Sequence, residues 1–268
     1  MKLCVLVDNN TYIDKYFLGE PAVSYYLEDG NDKILFDLGY SDVFIKNAKD
    51  LNIDLSSLTK IVISHGHNDH TGGFRYLRNT GNLKQAECIA HPDALKEKYF
   101  EGESIGFNIS QEEIKNVCGL KLTKTPVRIS ENIVFLGEIP AVHSFEEREA
   151  IGIQKTGDEF FDDYLFDDSA LVYKGKNGLF IITGCSHSGI CNIIEYAKKV
   201  CCNSAVSGVI GGFHLFHADM RLKKTIQYFN RNSIKELYPC HCVSFEVKAE
   251  INRSIPIHEV GVGLTIDI

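Results

Sequence analysis

The chain has 268 residues, 44% apolar and 24% charged, an ordinary composition for a globular protein with a sizeable core. The formal net charge is −8 and no lysine or arginine cluster stands out, which argues against a nucleic-acid partner. No apolar run approaches the roughly 18 residues of a membrane helix, and the stretch Leu3–Val7 is too short for a signal peptide. A cytoplasmic protein that meets no membrane and acts on a small molecule is expected, with a homodimer as the base-rate assembly.

Leu3–Val7 reads as a strand, and Val23–Leu27 with Ile34–Phe36 as a hairpin around Asp29-Gly30-Asn31-Asp32. Ser41 can cap a helix running to Asp50, and Lys60–Ser64 is a strand. A helix follows Gly72-Gly73, a strand covers Cys88–Ala90, and a helix follows Pro92. Ser110 and Glu113 form a capping box for a short helix that Gly119 stops. From Ser144 to Ser169 the chain is acidic and aromatic, a loop with the composition of a pocket lid. Ala170–Lys174 and Leu179–Thr183 form a second hairpin. A helix over Gly189–Val200, a strand over Val206–Ile210, a helix over Asp219–Asn230 and a strand over Glu236–Tyr238 complete an α/β pattern.

Ser64–Gly73 reads SHGHNDHTGG and places His65, His67, Asp69 and His70 within six residues, directly after an apolar strand. Imidazole and carboxylate are ligands shared by zinc, iron and manganese. His65 and His67, one residue apart, can aim at one ion from an extended turn, while Asp69 and His70 can hold a second. Loops at the carboxyl ends of strands are where α/β sheets build their sites. Three later turns follow the same rule: Thr183-Gly184-Cys185-Ser186-His187-Ser188-Gly189, Gly211-Gly212-Phe213-His214-Leu215 and Tyr238-Pro239-Cys240-His241-Cys242. Nine cysteines without a secretory signal argue for thiols or metal ligands rather than disulfides. Cys4, Cys88, Cys118 and the pair Cys201-Cys202 read as buried thiols.

The pattern H-x-H-x-D-H followed by Gly-Gly resembles the signature of the metallo-β-lactamase superfamily. Asp37-Leu38-Gly39 resembles its early aspartate turn, which supports the ligands from behind. Thr183-Gly184-Cys185 resembles the later turn, with Cys185 where an aspartate usually bridges two ions. His241 resembles the final histidine ligand. The resemblance spans nearly the whole chain and implies one domain, residues 1–268, with 101–168 as an insertion or lid region. The implied fold is an αββα four-layer sandwich of two mixed β-sheets. A further histidine of the family, between Thr71 and Gly184, has no counterpart in its usual context. His187 is the preferred substitute and His143 the other; His91 reads as a cap, His214 as a ligand or substrate contact, and His217 and His258 as surface or packing residues. The trio of later turns is similar to the subgroup related to an archaeal dihydropterin–ribofuranosylaminobenzene phosphate synthase.

The expected activity is hydrolysis of a small phosphorylated or ester-type substrate, with two divalent ions, zinc ahead of iron or manganese, activating water. Asp69 would orient the nucleophile. The helix start after Gly72-Gly73, with Arg75 close by, would seat a phosphate, and Ser186 and Ser188 would add donors. The subgroup resemblance implies an alternative, in which a pterin methyl diphosphate loses pyrophosphate to an arylamine, with Phe145, Phe160, Phe161 or Phe213 stacking on flat rings. A third reading is a redox or metal-sensing iron–sulfur protein built on Cys185, Cys191, Cys240 and Cys242.

Overall fold

Leu3 and Val5 share one face of the strand Lys2–Val7, Cys4 and Leu6 the other, and all four are buried. Such a strand must be covered on both sides, which requires layers rather than one open face. The structure, a computed structural model describing residues 1–268, supplies those layers in two large sheets. One has seven strands in the order Thr265–Asp267, Lys2–Val7, Ser24–Asp29, Asp32–Phe36, Lys60–Val62, Glu87–Ala90 and Gly119–Leu122. The other has six, in the order Glu236–Pro239, Val206–Gly211, Gly178–Thr183, Ala170–Gly175, Ile133–Phe135 and Val127–Arg128. Both mix parallel and antiparallel pairs.

Three apolar cores separate four layers. The central one joins the inner faces of the sheets through Leu3, Val5, Phe36 and Val62 on one side and Phe180, Ile182 and Ile210 on the other. A second packs the outer face of the seven-stranded sheet, with Leu6, Leu35 and Ile61, against Phe44, Phe74 and Ile114. The third packs Val172, Ile181 and Val209 against the helices Ile190–Cys201, Met220–Arg231 and Phe245–Ser254. This is the αββα sandwich of mixed sheets.

The local start and stop signals act as expected at several ends. Ser110 and Glu113 close the capping box on the helix Gln111–Val117, and Asp219 caps Met220–Arg231. His91 accepts the Asp93 N–H through Nδ1 at 3.1 Å, capping the turn after Glu87–Ala90. The helix after Gly72-Gly73 is a 3-10 helix, Gly72–Asn79. Cys4, Cys88 and Cys118 are buried, but Cys202 is exposed, because the helix ends there in a left-handed turn.

Two expectations need correction. Residues 101–168 are not one insertion, since Gly119–Leu122 belongs to the first sheet and Val127–Arg128 and Ile133–Phe135 to the second. The acidic stretch is not a plain loop either. Ile153–Thr156 and Glu159–Asp162 form a hairpin that extends Lys98–Phe100 and Glu103–Ser104 into a small third sheet. Behind it Lys98 is fully buried, its Nζ 2.6 Å from Asp163 Oδ2 and 3.0 Å from Asp167 Oδ1.

Burial opposes the charge on Lys98, but Asp167 and Asp163 outweigh it and hold the pKa above the usual lysine value. Its stabilisation is therefore full below the unfolded pKa of about 10.4 and fades as pH climbs through the raised folded value. Lys98→Met leaves two buried carboxylates unpaired and should cost about 3–5 kcal/mol at neutral pH. Urea unfolding checks this, and the difference from wild type should shrink at strongly alkaline pH.

Candidate metal centre

Strands that run in the same direction deliver the centre's residues from their carboxyl ends. Lys2–Val7 leads to Asp8 and Asn9, Asp32–Phe36 to Asp37, and Lys60–Val62 to the turn 64–70. In the second sheet Gly178–Thr183 leads to Cys185 and His187, Val206–Gly211 to His214, and Glu236–Pro239 to His241 and Cys242. Asp37, Ser186, His214 and His241 all adopt positive φ there, at 57°, 62°, 50° and 52°. Such backbone costs of order 1–3 kcal/mol per residue and persists where the surroundings over-determine it. Two glycines are required by close approach: a Cβ on Gly66 would lie 2.3 Å from Ala94 O, and one on Gly184 would lie 2.2 Å from Ser64 Oγ.

Donor atoms converge in groups whose members all lie within 4.8 Å of one another: Asp69, His70, Cys185 and His241; His65, Cys185 and His187; His65, His67 and Asp69. His65, Asp69 and Cys185 each belong to two groups, and Cys185 joins the set of Asp69, His70 and His241 to that of His65 and His187. Each half is oriented from behind. Asp37 Oδ1 accepts the Ser64 N–H at 2.7 Å, and its Oδ2 accepts the Ser64 hydroxyl and the His70 Nδ1–H, both at 2.7 Å. Ser64 Oγ in turn accepts His65 Nδ1–H at 3.0 Å, and Asn9 Oδ1 accepts His241 Nδ1–H at 3.2 Å. With these Nδ1 atoms protonated, the Nε2 lone pairs of His65, His70 and His241 face the centre.

The residues fit metal ions. Nε2 of His65 lies 3.2 Å from Nε2 of His187, and Nε2 of His70 lies 3.1 Å from Cys185 Sγ. Nε2 of His67 and of His241 are buried without a hydrogen-bond partner. Buried polar atoms are ordinarily paired, and a cation would satisfy these. Burial, with neighbouring histidines adding to it, pushes His65 and His187 well below the usual histidine pKa. Burial takes His67 down to about 4. These imidazoles are therefore neutral, as ligands must be. Burial opposes ionisation of Asp69, but His70 and His241 outweigh it and keep the carboxyl well below its usual value.

Other candidates lie elsewhere. His143 sits against Phe145 and Tyr228, with ring centroids 5.2 and 5.3 Å away, and His187 takes the position beside His65 instead. His214 packs on His187 at 4.3 Å and lines the cleft without joining a donor group. Arg75 lines a separate groove with Arg78 and Asn116. Gly72 and Gly73 press against the backbones of Tyr40 and Leu38, so they serve packing and seat no phosphate. Phe213 is fully buried against Phe229, and the Ser186 hydroxyl is spent on Gly212 O at 2.6 Å. The four thiols of the iron–sulfur reading do not converge: Cys191 lies in the helix core, and Cys240 meets the Tyr25 hydroxyl between the sheets. His258 stacks on Tyr238 at the surface.

Sequence reasoning missed Asp8 and Asn9, which hold His241 through its N–H at 3.0 Å and its ring. Their signal was a polar pair directly after the first apolar strand. It also missed the cleft walls, where Phe100, Ile105, Ile151 and Phe216 surround His67, Asp69, Cys185, His187, His214 and His241 in about 410 Å³.

His187→Ala should lower bound metal by about one ion per chain by elemental analysis, while His143→Ala leaves it unchanged. Asp37→Ala strands His70 Nδ1 and Ser64, and should weaken metal affinity by about 10–100-fold in chelator competition.

The sequence profile of the metallo-beta-lactamase superfamily matches residues 18–198. An uncharacterized protein of Methanocaldococcus jannaschii is 34% identical, over 93% of both chains. The 7,8-dihydropterin-6-methyl-4-(beta-D-ribofuranosyl)-aminobenzene-5'-phosphate synthase of the same organism is 30% identical, over 92% of this chain and 89% of its own. Among solved structures, one described as a metal-dependent hydrolase of the beta-lactamase superfamily, Tm1679, superposes with a TM-score of 0.85. It is 30% identical and covers 100% of this chain and 99% of its own. A diphosphatase of the PhnP family, 15% identical with a TM-score of 0.54 over 100% of this chain and 97% of its own, shares the fold. With the ligand turn, the strand-end geometry and the four-layer sandwich, these matches establish that the chain belongs to the metallo-β-lactamase superfamily.

Proposed function

We propose that the protein is a metal-dependent hydrolase of a small phosphorylated or ester-type substrate, using two divalent ions, zinc first among them. The carrying observation is Asp69: its Oδ2 lies 3.4 Å from His70 Nε2 and 3.3 Å from His241 Nε2, on the cleft wall. Its side chain is 28% exposed, whereas His70 is fully buried and His241 nearly so. His65, His67 and His187 would hold one ion, and Asp69, His70 and His241 the other, with Cys185 shared between them. Bound ions at such a site supply Lewis acidity and activate water at neutral pH.

The chain's own residues do the rest. Asp69, on the cleft wall beside His70 and His241, accepts a hydrogen bond from the attacking water and aims it. His214, whose buried Nδ1 has no partner, stands beside His187 to contact the substrate's reacting group. Phe100, Ile105, Ile151 and Phe216 form apolar walls that exclude bulk water and accept a hydrophobic substituent. The cleft volume suits a small molecule.

The resemblance to the synthase supports a second reading, transfer of a pterin methyl group from its diphosphate to an arylamine, because it extends over 92% of the chain. Zinc-loaded protein should hydrolyse at least one member of a panel of aryl phosphates, phosphodiesters, diphosphates and esters. Chelation should abolish that turnover and lower the melting temperature, and added zinc should restore both. Asp69→Asn should cut kcat by about 10²–10⁴, the usual share of a positioned acid or base. A silent panel together with product from pterin methyl diphosphate plus arylamine would replace hydrolysis by transfer.

A further inference from the structure

The acidic stretch ending at Ser169 contains four carboxylates that the proposed chemistry does not use, Glu146, Asp163, Asp167 and Asp168, all at most 1% exposed. Two are consecutive, and each accepts a backbone N–H from the neighbour of a histidine in the centre. Asp167 Oδ2 takes the Gly66 N–H at 2.7 Å, between His65 and His67. Asp168 Oδ2 takes the Ser188 N–H at 2.8 Å, one residue after His187. The following residue continues the pattern, the Ser169 N–H donating to the Ser64 carbonyl at 2.9 Å.

The two loops so joined come from different sheets, one after Lys60–Val62 and the other after Gly178–Thr183. Hydrogen bonds to an ionised carboxylate are shorter and about twice as strong as neutral ones. Burying such a carboxylate is costly unless it is paired. Lys98 meets that need for Asp167 at 3.0 Å. Asp168 Oδ1 has no hydrogen-bond partner, so the polar contact of this side chain is the one Oδ2 makes with the Ser188 N–H.

We propose that Asp167 and Asp168 are positioning residues that set the separation of the loops carrying His65, His67 and His187, and thereby the affinity of that half of the centre for its ion. The half built from Asp69, His70 and His241 is oriented chiefly by Asp37 and Asn9, and Asp37 also reaches His65 through Ser64. The proposal rests on the site binding metal, so it is tested by metal binding rather than by turnover.

The experiment titrates zinc into metal-free protein in competition with a chromophoric chelator, for wild type, Asp168→Ala, Asp168→Asn and Asp168→Glu. Asp168→Ala should weaken the zinc site of His65, His67 and His187 by about 10–100-fold and the other, which shares Cys185 on the same loop, by clearly less. Asp168→Asn keeps an acceptor for the Ser188 N–H and should restore most of the loss. Asp168→Glu keeps the carboxyl but lengthens the arm, and should weaken the same site most. That arm carries the test if the alanine variant does not fold. Equal weakening of both sites, an asparagine variant as weak as alanine, or a glutamate variant identical to wild type would overturn the proposal. Wild type that takes up no zinc would overturn the metal reading and this proposal with it.

Discussion

Asp37 ends one strand in a left-handed turn and accepts three hydrogen bonds, from the Ser64 N–H, the Ser64 hydroxyl and His70 Nδ1. Through Ser64 the same carboxylate reaches His65, so two of the histidines take their tautomer and direction from it. Gly184 fits against Ser64 Oγ and Asp37 Oδ2 without room for a side chain, which brings the Cys185 turn of the other sheet onto the same point. A buried carboxylate with this many donors tolerates little movement. The two sheets therefore meet closely at this point, and the turns that follow in the second sheet carry positive φ at Ser186, His214 and His241.

Around that point the molecule divides its labour. Behind the candidate ligands, Asp37, Asp167 and Asp168 accept hydrogen bonds from rings and backbone, while Asn9 does so from the edge of the cleft. In front, an apolar wall faces a floor of imidazole, carboxylate and thiol. Sulfur at the shared position is the unusual element. A coordinating thiol is deprotonated outright by its ion, whereas burial, with Cys242 beside it, pushes the free Cys185 thiol well above its usual pKa.

Much of this was legible in the sequence where local chemistry decides. Apolar runs such as Leu3–Val7 and Leu179–Thr183 announced strands, Ser110 with Glu113 announced a helix start, and the histidine turn announced ligands. The ends of strands then placed Cys185, His187 and His241 near that turn. What stayed hidden depends on packing between distant segments. Glu159–Asp162 is exposed throughout and carries no alternation of buried and exposed positions, so its pairing could not be read. Phe213 and Arg75 sat next to site motifs in sequence but point into the core and onto another surface. The Gly72-Gly73 pair looked like a phosphate seat, and its cause is contact with the Leu38 and Tyr40 backbones. Asp167 and Asp168 fell within a stretch that read as a lid loop, and only the folded chain shows their N–H partners at Gly66 and Ser188.

The central claim is a centre of two ions that share Cys185, and the most direct measurement is the metal content of anaerobically purified protein beside a Cys185→Ala variant. Elemental analysis should find two zinc or manganese ions per chain in the wild type and a fall towards one in the variant. Iron accompanied by acid-labile sulfide, or two ions retained in full after Cys185 is removed, would contradict the account.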